Sequence, residues 1–303
     1  MHYSRKDFIR HSGLALAAAA ILPSNLLAAA APKETLGIQL YSVRDDMKAD
    51  PAGTLKKVAA MGYKHVEHAN YVDHKFYGYA QKDFKKLLDD LGLKMPSGHT
   101  RMDAQHWDPA KKDFTDAWKK TVDDAAAMGQ QYVISPWLDE SLRQNYDDLV
   151  RYMDVFNKSG ELCKKAGMKF GYHNHDFEFS VKLKDITVFD IILQNTDPSL
   201  VMQQLDIGNM YNAGAKAKDM VTKYPGRFIS MHVKDEIKGT KAEERYESTV
   251  LGKGILPVKE IIDLGRKSGG TTLFIIEQES YQGMAPLASI AQDLQIMHRW
   301  GYK

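Results

Sequence analysis

The chain has 303 residues, with 41 Lys and Arg against 39 Asp and Glu, and one cysteine, Cys163. Such a length buries a large core, as one big α/β barrel or two smaller domains. A formal charge of +2 with both signs interspersed supplies no field for nucleic acid, and a lone cysteine excludes an internal disulfide framework.

Residues 1–31 read as a cleavable export segment. Arg5, Lys6 and Arg10 precede the apolar stretch LALAAAAILPSNLLAAAA, which ends in small residues at Ala29–Ala31. Pro23, Ser24 and Asn25 interrupt it, which argues against a spanning helix. SRKDFIR resembles the twin-arginine signal with Lys6 in place of the second Arg, so the twin-arginine and general secretory routes both stay open. The expected destination is the periplasm, with no membrane association once the signal is removed.

From residue 32 onward a helix-like amphipathic run, a glycine and a short apolar strand recur, as in KKVAAMGYKHVEHAN, DDAAAMGQQYVISPW and LCKKAGMKFGYHNH. Glycine just past a helix supplies the left-handed turn that leads into the next strand. Eight strands are predicted, at residues 36–43, 64–70, 94–100, 131–138, 169–176, 200–208, 228–235 and 272–279, each followed by a helical segment. Eight strand–helix units over residues 32–303 make a single-domain (β/α)8 TIM barrel. A doubly wound sheet is the alternative, but no G-x-G-x-x-G opens the first helix. Cys163 falls in a helical run and is expected to be inert.

Side chains on barrel strands alternate between the helices and the barrel axis. One parity of each strand carries the polar groups: Gln39 and Tyr41 in strand one, Glu67 with His65 in strand two, Ser97 and His99 in strand three. Ser135 and Trp137 follow in strand four, His173 and His175 in strand five, Asp206 in strand six, Ser230, His232 and Lys234 in strand seven, and Glu277 and Glu279 in strand eight. Buried carboxylates and imidazoles must bind each other or a cation, and barrel active sites lie at the C-terminal strand ends. His68 has the opposite parity and is not expected in a site. Trp107 and Tyr281 are further aromatics of a kind that stack on sugars, although packing is the commoner role. Asp176 and Glu178 are candidates for hydrogen bonds to the metal histidines. The run KDEIKGTKAEERYEST after strand seven reads as a solvated loop or a lid.

At these residues, in GIQLYSVRD, YHNHDFEF, QLDIGNMYNAG, MHVKD and FIIEQE, the chain resembles the xylose isomerase-like barrels. These sugar phosphate isomerases and epimerases include ketose 3-epimerases, inosose dehydratase and, more distantly, endonuclease IV. The resemblance implies one divalent metal, most often Mn²⁺, held by His173, Asp206, His232 and Glu277. His173 stands where the family usually has Glu, which makes the site softer and opens it to Zn²⁺, Co²⁺ or Fe²⁺. Asn209 stands where many relatives carry His.

The implied chemistry is enolisation of a keto-sugar or sugar derivative, ending in isomerisation, epimerisation or elimination. His175 or Glu279 would take the proton, Lys234 would stabilise an oxyanion or serve the leaving oxygen, and Glu277 would join acid–base work. Gln39, Tyr41, Glu67, His99, Trp137 and Asn209 are the expected substrate contacts. No phosphate loop is found, and export argues for an unphosphorylated carbohydrate substrate. A non-catalytic sugar-binding barrel is the alternative, and an endonuclease IV-like nuclease would need more ligands and a basic groove. A homo-oligomer is compatible with the sequence, which does not set the oligomeric state.

Overall fold

Eight parallel strands close into a barrel whose order in space is their order along the chain. In the computed structural model, which describes residues 34–240 and 245–303, they are β1 Thr35–Gln39, β2 His65–His68, β3 Lys94–His99, β4 Tyr132–Ser135, β5 Lys169–His173, β6 Val201–Asp206, β7 Ser230–Val233 and β8 Leu273–Ile276. The export segment read into residues 1–31 lies outside the described residues. The main helices are α1 Pro51–Ala60, α2 Gln81–Asp90, α3 Asp116–Ala127, α4 Tyr146–Lys165, α5 Val188–Asn195, α6 Ala217–Lys223, α7 Val258–Leu264 and α8 Pro286–Arg299. No described helix is long and apolar enough to cross a membrane.

The outward parity of the strands packs on the helices. Leu36, Ile38, Leu205, Met231, Val233, Phe274 and Ile276 join Leu55, Val58, Ile290 and Leu294 in one core cluster. Val133, Phe170 and Tyr172 join Trp118 of α3 and Phe156 of α4 in another. Burying each such side chain is worth about 1.5–3 kcal/mol. The Trp118 indole donates to Ser159 Oγ at 3.0 Å, so its polar atom is satisfied. Cys163 sits in the same layer, its thiol pushed up to about 12 by burial, which keeps it unreactive as expected.

Inside the barrel, below the polar groups, space is tight. A Cβ on Gly171 would lie 2.6 Å from Met202 Sδ and 3.1 Å from Ile134 Cγ1, and one on Gly37 would lie 2.9 Å from Ile275 Cδ1. Glycine at these two positions lets the strands close over a packed floor.

The strands end earlier than their sequence suggests, because polar side chains at their ends cap the backbone that follows. Gln39 accepts from Tyr41 N and starts a short 3₁₀ turn, so the strand stops at 39 rather than 43. Asp206 Oδ1 accepts from Gly208 N at 2.9 Å and Asn209 N at 2.8 Å, which begins the short helix Ile207–Asn212. Strand four needs a correction. Ile134, not Ser135, is its inward residue, and Ser135 Oγ accepts from Met102 N at 3.1 Å on the outer side. YVIS is nearly apolar on both parities, so polarity could not assign its faces.

The expected loop or lid after β7 is a hairpin, Asp235–Lys238 paired antiparallel with Tyr246–Thr249. The Asp235 carboxylate accepts from the backbone of Glu236, Gly252, Gly254 and Leu256 and fixes its base. Ser248 Oγ accepts from Glu279 N and Ser280 N, which ties the hairpin to the exit of β8.

Candidate active site

The lowest polar layer is built on Glu67 of β2, which is completely buried. Its Oε1 accepts from Gln39 Nε2 at 2.8 Å and His232 Nε2 at 2.7 Å, and its Oε2 from Ser97 Oγ and from Gln204 Nε2 at 2.9 Å. Burial opposes its charge, yet His99 and His232 bring the carboxyl down to about 2. Gln204 is the second hub. Its oxygen accepts from His99 Nε2 at 2.7 Å and His173 Nδ1 at 3.0 Å, while its nitrogen also donates to Ser230 Oγ at 2.9 Å.

These bonds set the imidazoles. With Nδ1 of His173 given to Gln204, its Nε2 faces Asp206. His232 is bonded on both sides, through Nε2 to Glu67 and through Nδ1 to Glu277 at 3.0 Å, so an ion at Nδ1 would have to displace the proton there. Asp206 Oδ2 is buried without a hydrogen-bond partner. It lies 3.9 Å from His173 Nε2 and 3.8 Å from His232 Nδ1. Glu277 Oε2 lies 3.0 Å from the same His232 nitrogen. One atom each of Asp206, His232 and Glu277 falls within 4.8 Å of the others, and His99, His173 and His232 form a second such group. Asp206, His232 and Glu277 fit a divalent ion in character and spacing, and His173 is the neighbouring imidazole, its Nε2 3.9 Å from Asp206 Oδ2.

Charge in this layer is tightly coupled. Burial works against the His232 proton, but Glu277 and Glu67 raise its pKa to about 10. Burial and then His232 hold His173 well below the ordinary imidazole range. Burial favours protonated Glu277, but Lys234 and His232 outweigh it and keep the carboxyl well down. Lys234 is almost completely buried, with Nζ 2.8 Å from Glu277 Oε2, 3.0 Å from Asp206 Oδ2 and 3.4 Å from Glu279 Oε1.

Above lies a cavity of about 610 Å³, lined among others by Tyr41, His99, Arg101, Trp137, His173, His175, Glu277 and Glu279. A second cavity of about 430 Å³ adjoins it, and the two share Tyr41, Ala69 and Asn70. Tyr41 is 44% exposed, with the Arg44 guanidinium 4.8 Å from its ring centre. His175 stands edge-on to Trp137 at 5.4 Å, and its Nδ1 has no hydrogen-bond partner. Burial, then the Lys234 charge, lower its pKa to about 4, so the ring is neutral near pH 7.

Of the residues expected from sequence, His99, His173, His175, Asp206, His232, Lys234, Glu277 and Glu279 converge here. Tyr41 and Trp137 line the mouth, although both lie past their strand ends, where parity no longer governs them. Gln39 and Glu67 are not substrate contacts as expected. Both are fully buried beneath the cavity and hold the histidines from below. Asn209 sits in the first turn of Ile207–Asn212, 3.5 Å from Lys234 Nζ. His68 stays outside the site, packed on Phe76, and Trp107 packs on Phe114. Gln204 and Glu236 were missed. QQ at 203–204 offers no contrast between faces, and Glu236 lies past its strand end.

Glu178 does not bond a metal histidine, as had been expected. It accepts from Tyr172 OH at 2.5 Å and from His175 N at 2.9 Å, and so fixes the backbone that carries His175. Burial raises its carboxyl from the ordinary 4.5 to about 8, against the Tyr172 hydroxyl. Between those pH values the folded chain keeps a proton that the unfolded chain loses, so stability falls as pH rises. Thermal melts at pH 5–8 are expected to show a shallower decline for Glu178→Gln than for the wild type, the Glu178 term being at most about 1.4 kcal/mol per pH unit. Equal slopes would show that Glu178 ionises normally.

The chain matches the model of the xylose isomerase-like TIM barrel family over residues 55–300. Inosose dehydratase of Clostridium perfringens is 29% identical over 136 residues, 44% of this chain and 44% of its own length. Inosose dehydratase of Clostridium botulinum is 24% identical over 196 residues, 60% of this chain and 62% of its own length. The chain therefore spans less than two thirds of either relative. A sugar phosphate isomerase/epimerase from Parabacteroides distasonis has a solved structure that superposes with a TM-score of 0.74. It is 26% identical and is matched over 91% of this chain and 98% of its own. The IolI protein, solved with a bound zinc atom, shares the fold at 12% identity and a TM-score of 0.64, over 87% of this chain and 97% of its own. The match to the family model covers most of the barrel, and the chain belongs to the xylose isomerase-like TIM barrel family.

Proposed function

We propose that the protein is an exported, divalent-metal-dependent enzyme that enolises an unphosphorylated keto-sugar or keto-glycoside, of the hydro-lyase or isomerase/epimerase type. The observation that carries this reading is the convergence of ligand-type atoms of His173, Asp206, His232 and Glu277 beneath a polar cavity. The inosose dehydratase and sugar isomerase/epimerase relatives support a sugar-modifying chemistry. The donor set suits Mn²⁺, Zn²⁺, Co²⁺ or Fe²⁺, and the zinc bound to IolI agrees with it.

When bound, the ion would supply Lewis-acid polarisation of a ketone oxygen. His175, neutral and with Nδ1 unpartnered, is placed to take the proton from the α-carbon. Trp137 and the Glu178 bond to its backbone keep that ring in position. Glu279 lines the same cavity and Lys234 lies 3.4 Å behind it, and the pair would supply the proton that a departing β-oxygen needs, which favours elimination. Tyr41 offers an aromatic face between the two cavities, and the space on both sides favours a glycoside over a single sugar ring.

The test is proton exchange. Protein reconstituted with Mn²⁺, Zn²⁺ or Co²⁺ is incubated with keto-sugars and keto-glycosides in deuterated buffer and followed by proton NMR. Loss of the α-proton signal, abolished by EDTA and restored by metal, is the expected result. Metal-loaded protein that binds these sugars without exchanging the proton would instead mark a sugar-binding barrel.

A further inference from the structure

We propose that Lys234 is a tethered counter-cation that competes with the divalent ion for Asp206 and Glu277 and withdraws toward Glu236 when the ion binds. The proposal rests on the metal reading above and concerns how that site is loaded. The ammonium lies 3.0 Å from Asp206 Oδ2 and 2.8 Å from Glu277 Oε2. Those are the same two oxygens that face Nδ1 of His232, at 3.8 Å from Asp206 and in a 3.0 Å hydrogen bond to Glu277. An ammonium and a divalent ion cannot share them, because like charges a few ångströms apart in a buried site repel strongly.

The chain supplies a place for the displaced charge. Glu236, two residues further on, is buried, and its Oε2 has no hydrogen-bond partner. Its side chain meets the Lys234 stem over Gly208, where a Cβ would lie 2.5 Å from Glu236 Oε1 and 2.6 Å from Lys234 Cδ. Any larger residue at 208 would block that space. A four-carbon stem reaches either carboxylate set by rotamer change alone, and a lysine ammonium has no fixed donor plane to prevent it. Without the ion, the lysine keeps Asp206 and Glu277 from facing each other as unpaired buried charges. With the ion, its charge moves to Glu236 and Glu279, next to the substrate cavity.

The test measures metal affinity without substrate. Metal-stripped wild type, Lys234→Met and Glu236→Gln are titrated calorimetrically with Zn²⁺ and with Mn²⁺. Lys234→Met is expected to bind at least ten times more tightly than wild type, and Glu236→Gln several times more weakly. Unchanged or weaker binding by folded Lys234→Met overturns the proposal while leaving the metal site standing. Should Lys234→Met fail to fold, unchanged affinity in Glu236→Gln overturns it equally. No binding by either wild type or folded Lys234→Met overturns the metal reading and the proposal together.

Discussion

Replacing Glu67 by glutamine is expected to weaken divalent-metal binding about 10–100-fold, although Glu67 lies beneath the proposed metal site and is not one of its proposed ligands. The carboxylate receives Gln39, His232, Ser97 and Gln204, each with a donor pointing at it. An amide has one acceptor oxygen, and its NH₂ group would face donors on the other side. Whichever way it turns, either the His232 bond or the Ser97 and Gln204 bonds are lost. In the first case His232 loses the partner that holds its ring with Nδ1 toward Asp206 and Glu277; in the second the layer beneath it loosens. Each buried donor left unpaired costs about 1–3 kcal/mol, so the melting temperature should also fall by roughly 5 °C or more. Calorimetric metal titration and a thermal melt check both effects. Wild-type values in both would mean that the network does not hold the histidine.

Asp206→Asn is expected to remove metal binding and lower turnover by about 10²–10³-fold while leaving the fold in place. The two carboxylate oxygens have separate work. Oδ1 caps Ile207–Asn212 through Gly208 N and Asn209 N, and an amide oxygen accepts the same bonds. Oδ2 faces the Lys234 ammonium at 3.0 Å, where an NH₂ group would meet a cation that it cannot pair. The Lewis-acid polarisation that a bound ion would supply is worth several kcal/mol, and at about 1.4 kcal/mol per tenfold its loss gives the stated drop. Circular dichroism in EDTA should match wild type in shape. Retained metal affinity in the variant would remove Asp206 from the ligand set.

The barrel was legible because its strands repeat with glycine punctuation, and the residues at positions 173, 206, 232 and 277 because polar groups interrupt apolar strands. The second layer was less so. Glu67 was read as a rim contact because parity assigns a face and says nothing of depth along the barrel axis. Gln204 hid in a glutamine pair, and Ser135 was placed inward because β4 gives no contrast between its faces. Tyr41, Trp137 and Glu236 lie past strand ends, where capping bonds redirect the chain and alternation stops being a guide.

Gln204 also bears on the unusual imidazole at position 173. Its oxygen takes an N–H from His173 and another from His99, while Glu67 and Ser230 hold its nitrogen so that the amide cannot turn over. A glutamate at 173 would present lone pairs to that fixed oxygen. The histidine is therefore fixed by its neighbour: a carboxylate at 173 would need a donor at position 204, and that change would undo the anchoring of His99, so the two positions can be exchanged only together.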